Sequence, residues 1–219
     1  NQITFDLVKN GNVDLFSPLT ELQELHLWEN QIAELPEKIF QHNTELISLR
    51  LDSNQIADLP AELFKNNKKL EILNIAENKI TFLDENLFCQ LTKLQKLSLY
   101  GNQLKTLPER IFWFNTELVQ LGLRQNQLVE LPTNFLKNAA KLESLNISGN
   151  QIKTLNDSVF SSLVSLKTLN LANNKIRSLE KVQFGNLTNL EKVVISQNPI
   201  NYLFWDDIFV GSLPVNLVM

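Results

Sequence analysis

The feature that most constrains the fold of this chain is an asparagine that recurs every 24 residues. A fixed period of this length is typical of repeat architectures, in which each copy is one supersecondary unit. Leucines precede each asparagine at constant spacing, as in residues 46–54, LISLRLDSN. The asparagines of this column are Asn30, Asn54, Asn78, Asn102, Asn126, Asn150, Asn174 and Asn198. The chain is therefore predicted to be an array of stacked repeats.

Each position of the repeat has a physical role. The alternating leucines before the asparagine predict a short strand with one buried side. One such strand cannot cover its own apolar face, so successive copies are expected to stack as a parallel sheet over a continuous core. An asparagine among core leucines is tolerated only if its amide is paired, and the backbone of adjacent turns offers the partners.

A second column, mostly phenylalanine, lies ten residues after each asparagine and is expected to stack on the return side of the repeats. Its members are Phe40, Phe64, Phe88, Phe112, Leu136, Phe160 and Phe184. Prolines such as Pro36 and Pro60 precede this column and disfavour a regular helix there. The return segments are therefore predicted to be short turns and 3₁₀ pieces.

This frame resembles the leucine-rich repeat family, and within it the 24-residue type with a phenylalanine column found in Toll-like receptors, small leucine-rich proteoglycans and lamprey variable lymphocyte receptors. The resemblance covers essentially the whole chain. It implies an α/β solenoid: a curved horseshoe with a parallel β-sheet on the concave face and short 3₁₀ or irregular segments on the convex face. It also implies a role in protein recognition.

The organisation is predicted to be a single leucine-rich-repeat domain over residues 1–219. Eight regular repeats occupy 19–202, with a degenerate first repeat or N-terminal cap at 1–18 and a degenerate last repeat or C-terminal cap at 203–219. The cysteine-rich caps usual in extracellular members are absent. Either the segment belongs to a longer array, or the end segments, including Phe204, Trp205 and Phe209, act as caps.

One column departs from the family frame on the convex side. The leucine expected there is present as Leu19, Leu91, Leu163 and Leu187, and is replaced by Asn43, Asn67, Asn115 and Ala139 in the other repeats. Polar groups at this position need solvent or a backbone partner, so these turns are expected to be looser.

No catalytic motif is present. The chain has no phosphate-binding glycine loop, no nucleophile elbow, no HExxH and no paired cysteines, and Cys89 is its only cysteine. His26 and His42 fall in different parts of the repeat, and the adjacent Asp206 and Asp207 are interpreted as a solvated turn. The sequence predicts a protein that is not an enzyme, with no cofactor and no metal.

Charge and hydropathy limit the classes of partner. The net charge is −4 and no block of basic residues occurs, so neither a nucleic-acid partner nor an anionic membrane surface is predicted. No stretch approaches 18 consecutive apolar residues, so no membrane span is predicted in this segment. A protein ligand is the expected partner. Glycan and lipid ligands stay open, as does the oligomeric state.

The resemblance implies that partners are held by the variable residues between and just after the strand leucines. Trp, Tyr and Arg are over-represented at binding hot spots, and several occupy these positions. The partner-binding candidates are His26, Trp28, Arg50, Asp52, Asn74, Tyr100 and Arg124. From Trp28 to Arg124 they span roughly 19 Å at the spacing of adjacent strands. The alternative for Trp28 is packing over His26 or Arg50.

A second candidate is the pair Trp113 and Phe114, which replaces polar residues found at these positions in neighbouring repeats. It is either packed locally onto the Asn115 turn or available for a lateral contact, through self-association or with a second partner.

Three roles fit such a chain. The first is a secreted or cell-surface recognition module in immunity or adhesion, which the repeat type favours. The second is a bacterial protein delivered to host cells or a cytosolic scaffold, which the absence of cysteine caps suits. The third is part of a larger receptor.

Overall fold

The computed structural model describes residues 15–156, 159–179, 184, 187–201 and 216–218. Strands of three residues recur through this part of the chain, and the described residues include no helix. The strands are β1 (Glu24–His26), β2 (Ser48–Arg50), β3 (Ile72–Asn74), β4 (Lys96–Ser98), β5 (Gln120–Gly122), β6 (Ser144–Asn146), β7 (Thr168–Asn170), β8 (Lys192–Val194) and β9 (Asn216–Val218). They form one parallel sheet in sequential order, which confirms the predicted solenoid.

The sequence period sets the register of the sheet. Each strand residue pairs with the residue 24 positions later, as Leu49 does with Leu73 and Arg50 with Asn74. The central residue of a strand such as β2 or β3 is buried, while its neighbours are partly or fully exposed. Because successive side chains alternate between faces, the leucines form one wall of the core and the variable residues form the open face.

The asparagine column is a hydrogen-bonded ladder. Asn78 donates through Nδ2 to the carbonyl of Leu51 in the previous repeat and to that of Ala76, both at 3.0 Å. Its Oδ1 accepts the backbone N–H of Ile56 at 3.0 Å. Asn54, Asn102, Asn126, Asn150 and Asn174 are likewise buried and form the same kinds of bond. The ladder holds the chain where it leaves the sheet.

The residue before each asparagine of the ladder has a left-handed backbone. These residues are Glu29, Ser53, Glu77, Gly101, Gln125, Gly149, Asn173 and Gln197, with φ between 51° and 68°. From Glu29 to Asn173, their N–H groups donate to a carbonyl of the next repeat, as Gln125 does to Ser148 at 2.8 Å. The bend after each strand is therefore fixed by the backbone even where the residue is not glycine.

The aromatic column is largely confirmed, with one correction. Phe40, Phe64, Phe88 and Phe112 stack with ring centroids 6.0–6.4 Å apart. In the next repeat the ring that contacts Phe112 belongs to Phe135, not to the expected position 136, at 6.3 Å and a tilt of 55°. Two adjacent residues are buried in each return segment from that of Ile39 and Phe40 to that of Val159 and Phe160. The repeat with Phe135 exchanges the large and the small one.

The convex asparagines do not loosen their turns, contrary to the sequence-based expectation. Asn43, Asn67 and Asn115 are fully buried. Each donates through Nδ2 to two carbonyls of the preceding repeat, as Asn67 does to Phe40 and Asn43 at 3.1 and 2.9 Å. Their Oδ1 atoms have no hydrogen-bond partner. The return segments contain single turns, such as that closed by Ile39 N–H on Pro36 at 3.0 Å, and no 3₁₀ helix is assigned in the described residues.

The ends are described only in part. Phe16 is buried and its ring stacks on Phe40 at 6.1 Å, which continues the aromatic column into the degenerate first repeat. Strand β9 pairs with β8 at the same register, Val193 opposite Leu217. The predictions for residues 1–14 and for Phe204, Trp205, Asp206, Asp207 and Phe209 lie outside the described residues. Within the described part, no helix is long and apolar enough to cross a bilayer.

Candidate partner-binding face

The seven candidate residues belong to two rows on the concave side of the sheet. His26, Arg50 and Asn74 end β1, β2 and β3 and are adjacent in the sheet register. Trp28, Asp52, Tyr100 and Arg124 come two residues beyond a strand end. Buried residues such as Leu27, Leu51 and Leu99 lie between or beside these rows, so the rows lie on the face opposite to the core. Asp52 is itself buried, at 8% exposure.

Arg50 is the centre of the first cluster. Its guanidinium carbon lies 5.1 Å from the ring centroid of Trp28, within cation–π range. Its Nε and Nη2 donate to the two oxygens of Asp52 at 3.0 and 2.8 Å. The hydrogen bond with Asp52 raises the pKa of Arg50 above its usual value. Trp28 is nonetheless 40% exposed, so the indole is held in place and remains accessible.

Tyr100 and Arg124 form the second cluster. They are equivalent residues of successive repeats, and the Arg124 guanidinium carbon lies 5.5 Å from the Tyr100 ring centroid. Arg124 is exposed and Tyr100 partly buried. The structure thus brings four of the candidates into two arginine–aromatic pairs on one face.

His26 and Asn74 belong to neither pair. His26 lies with Nε2 3.8 Å from a carboxylate oxygen of Glu24. Asn74 accepts the backbone N–H of Ala76 through Oδ1 at 3.2 Å. Asn74 also lines a concave depression of the sheet.

This depression has a volume of about 350 Å³ over strands β3 to β6, and the repeat pattern did not predict it. Gly122 lies on its lining, where other strands carry a side chain, and a Cβ there would meet Ser98 Oγ at an ordinary 3.6 Å. Ile72, Lys96 and Gln120 also line it. The sequence feature that could have predicted the depression is Gly122, because it is the glycine at a variable position of a strand.

Trp113 and Phe114 lie away from this face and differ from each other. The Trp113 ring is flanked by the guanidinium carbon of Arg110 at 5.6 Å and Nζ of Lys137 at 5.7 Å. Its carbonyl accepts Nδ2 of Asn138 at 2.9 Å. Phe114 is 53% exposed. Trp113 is thus packed among cations, and Phe114 is the accessible member of the pair.

Among the described residues, no group of three or more His, Cys, Asp or Glu side chains could hold a metal ion. Cys89 is partly buried, and its Sγ lies 3.8 Å from Nε2 of Gln90.

Comparison with protein families assigns the repeats. The family model described as "Leucine rich repeat" matches residues 44–104, 73–128 and 116–176. A second model, "Leucine Rich repeats (2 copies)", matches residues 164–207. Together with the 24-residue period, the parallel sheet, the asparagine ladder and the aromatic column, these matches show that the chain belongs to the leucine-rich repeat family. No curated protein sequence matches the chain significantly.

Solved structures share this fold. Toll in the Drosophila Toll–Spatzle complex is 30% identical with a TM-score of 0.82, over 89% of this chain and 26% of Toll. InlJ from Listeria monocytogenes is 26% identical with a TM-score of 0.66, over 88% of this chain and 43% of InlJ. FLRT2, in an octameric complex with Latrophilin 3 and Unc5D, is 24% identical with a TM-score of 0.66, over 83% of this chain and 63% of that chain.

This chain therefore spans about a quarter of the length of Toll. The family consists of non-catalytic interaction modules, and Toll and FLRT2 were solved bound to other proteins. The similarity is consistent with protein binding.

Proposed function

We propose that this chain is a non-catalytic recognition module that binds a protein partner on its concave face. Trp28, Arg50, Tyr100 and Arg124 supply the central contacts. The observation that carries the proposal is the presence of two arginine–aromatic pairs on one open sheet face. His26, Asp52 and Asn74 complete the surface.

Preorganisation is the physical reason for choosing these residues. A free arginine loses rotamer entropy when a partner immobilises it, and this cost reduces affinity. Arg50 is already held by Asp52 and by the Trp28 ring, so less freedom remains to be lost. Large, rigid aromatic side chains add contact area at few rotatable bonds, which is why they dominate hot spots.

Packing and binding are compatible at Trp28. The contact with Arg50 corresponds to the packing alternative considered for this indole. That contact covers only part of the side chain, since 40% stays exposed. In the proposed complex a partner group covers the remaining exposed part of the ring.

The depression beside Asn74 and Gly122 extends the proposed surface. Its volume of about 350 Å³ suits one or two side chains projecting from a partner loop. It lies between strands β3 and β6, next to the strand ends that lead to Tyr100 and Arg124. A partner that contacts both arginine–aromatic pairs would pass over it.

The biological setting follows from the repeat type only in outline. The similarity to Toll favours a receptor-like or secreted module in immunity or adhesion. The similarity to InlJ of Listeria monocytogenes suits the alternative, a bacterial protein directed at host cells. Both settings require protein recognition by the same face.

The experiment is affinity capture from extracts of the source organism and, separately, of candidate hosts. The baits are the wild-type chain, a Trp28→Ala, Tyr100→Ala, Arg124→Ala variant, and a convex control, Lys68→Ala with Lys93→Ala, all matched in melting temperature. We expect that the wild type and the control both retain one partner. The concave variant should bind this partner at least about tenfold more weakly. Equal retention by all three baits would exclude the concave patch.

Self-association through Phe114 is a second proposal. A phenylalanine that is 53% exposed beside a tryptophan flanked by two cations offers an apolar contact to a second copy of the chain. We expect concentration-dependent sedimentation that is abolished by Phe114→Ser and largely kept by His42→Ser, a substitution at the equivalent exposed position three repeats earlier. Strictly monomeric sedimentation of the wild type contradicts this proposal.

A further inference from the structure

The flank of the solenoid carries a groove that belongs to neither proposed contact surface. It has a volume of about 1180 Å³ and follows the segments that leave the asparagine ladder, from Glu130 to Pro199. Among the described residues, three cations line it, Lys153, Lys175 and Arg177, against one carboxylate, that of Glu130. All four charged side chains are exposed.

The repeat geometry brings these cations together. Lys153 and Arg177 are 24 residues apart and so occupy the same position in successive repeats. The N–H of Lys175 donates to the carbonyl of Ile152 at 2.9 Å, which holds the two segments edge to edge. Nζ of Lys175 is directed to a neutral group, Oε1 of Gln151, at 3.1 Å.

Other columns of the solenoid pair opposite charges at this spacing. Ion pairs 24 residues apart join Glu45 to Lys69, Glu117 to Lys141 and Glu143 to Lys167. Lys153 and Arg177 instead set two cations side by side, and neither has an ion pair within the described part of the chain. Like charges in adjacent positions repel, so this arrangement is stabilised when an anion lies between them.

We propose that this groove binds a linear acidic polysaccharide, whose sulfate or carboxylate groups pair with Lys153, Lys175 and Arg177. Hydroxyl and amide groups of Thr133, Thr154 and Asn156 line the same groove and can hydrogen-bond to sugar hydroxyls. Asn156 already donates to Thr133 Oγ1 at 2.8 Å, which fixes both side chains.

A polysaccharide fits this groove better than an acidic peptide. Peptides gain much of their affinity from apolar anchors in pockets. None of the large apolar side chains exposed in the described residues lines the groove. The groove also crosses the segments of four successive repeats, roughly 14 Å at the spacing of adjacent strands, which suits an extended chain.

The test uses a size-defined heparin oligosaccharide, which carries sulfate and carboxylate, an alginate oligosaccharide, which carries carboxylate alone, and a polyglutamate peptide. Binding is measured by titration calorimetry on the full chain at low and high salt. The groove variant is Lys153→Gln with Arg177→Gln. The matched control, Lys68→Gln with Lys93→Gln, makes the same charge change on exposed convex lysines.

We expect the groove variant to bind at least one oligosaccharide about tenfold more weakly than the wild type, with the control changed less than about threefold. The oligosaccharide that binds more tightly then shows whether the ligand carries sulfate, as heparin does, or carboxylate alone, as alginate does. Equal losses in both variants would show diffuse charge and overturn the proposal, as would no binding to either sugar. If polyglutamate bound more tightly than both oligosaccharides and lost affinity in the groove variant, the ligand would be an acidic peptide and the assignment to a polysaccharide would be wrong.

Discussion

At the scale of single residues, the bend after each strand is formed by a backbone conformation that most side chains disfavour. Six non-glycine residues, among them Glu77 and Gln125, have φ of 51–57°. An L-residue in this region costs about 1–2 kcal/mol relative to right-handed conformations. Two repeats avoid the cost by placing Gly101 and Gly149 there. The array therefore contains strain that can be removed one repeat at a time.

The first prediction concerns this strain. We expect Gln125→Gly to raise the free energy of unfolding by about 0.5–1 kcal/mol, because relief of the left-handed strain exceeds the added entropy of the unfolded chain. Asn173→Gly should gain less, since asparagine tolerates this conformation better. Both are measured by urea denaturation.

The control for that prediction is Gln127→Gly, two residues further along the same loop, where φ is not positive. It should lower the stability, because glycine there adds only unfolded-state entropy. A stabilisation by Gln127→Gly equal to that of Gln125→Gly would contradict the explanation.

At the scale of elements, two asparagine columns run along the solenoid with different energetic roles. Asn78 supplies the acceptor for the buried N–H of Ile56. Asn67 supplies only donors, and its own Oδ1 is buried without a partner. The two carbonyls that Asn67 contacts already accept backbone N–H groups. The carbonyl of Phe40 accepts the N–H of Asn43 at 3.2 Å, and the carbonyl of Asn43 accepts the N–H of Leu46 at 3.3 Å. The first column is therefore essential to the hydrogen bonding of the backbone, and the second is not.

The second prediction follows from this difference. Asn78→Leu should lower the free energy of unfolding by about 1–3 kcal/mol, because it leaves the buried N–H of Ile56 without a partner. Asn67→Leu should change it by no more than about 1 kcal/mol, because the orphaned acceptor is removed together with the two donors. Leucine already occupies the equivalent buried position at Leu91 and Leu163. Comparable losses in the two variants, measured by chemical denaturation, would refute the distinction.

The third prediction tests the exchanged pair in the aromatic column. Phe135→Leu leaves a void and Leu136→Phe overpacks, so each alone should cost about 1–3 kcal/mol. The double variant restores the order of the other repeats, as in Ile111 and Phe112, and should lie within about 1 kcal/mol of the wild type. A double-mutant cycle from thermal unfolding measures the coupling. Additive losses would show that the two positions do not share one space.

These elements show what sequence could and could not predict. The strands, their register and the asparagine ladder follow from a period that fixes which residues are neighbours. The ring of Phe135 could not be assigned from spacing, because two adjacent buried positions can exchange a large and a small residue at nearly constant volume. The convex asparagines were misjudged because their composition alone does not show whether backbone carbonyls lie within reach of a buried amide.

At the scale of the whole molecule, a binding surface could be predicted from the sequence only by comparing equivalent positions of successive repeats. The concave candidates were found because strand alternation exposes them. The groove at Lys153 and Arg177 was missed because a search for a contiguous basic block cannot find cations 24 residues apart. Charge in a solenoid has to be compared between equivalent positions of successive repeats, since these are the neighbours in space.

The last prediction treats the array as a sum of repeats. Deleting residues 145–168 joins Ser144 to Leu169 and gives a strand Ser144-Leu169-Asn170 with the register that β6 has now, because every strand pairs at an offset of 24. In a solenoid each repeat contacts only its neighbours, so the shortened chain should fold cooperatively with lower stability. Its urea m-value should fall by roughly a tenth, in proportion to the surface removed.

A matched deletion of residues 157–168 shifts the array by half a period and sets strand residues against a return segment, so this variant should lose cooperative unfolding. The 24-residue deletion keeps every concave candidate from His26 to Arg124 and removes Lys153. It should therefore retain the captured partner and lose the acidic oligosaccharide. If the partner were lost as well while the circular dichroism spectrum stayed that of the repeat array, the contact would extend beyond β5 and the proposed concave patch would be too small.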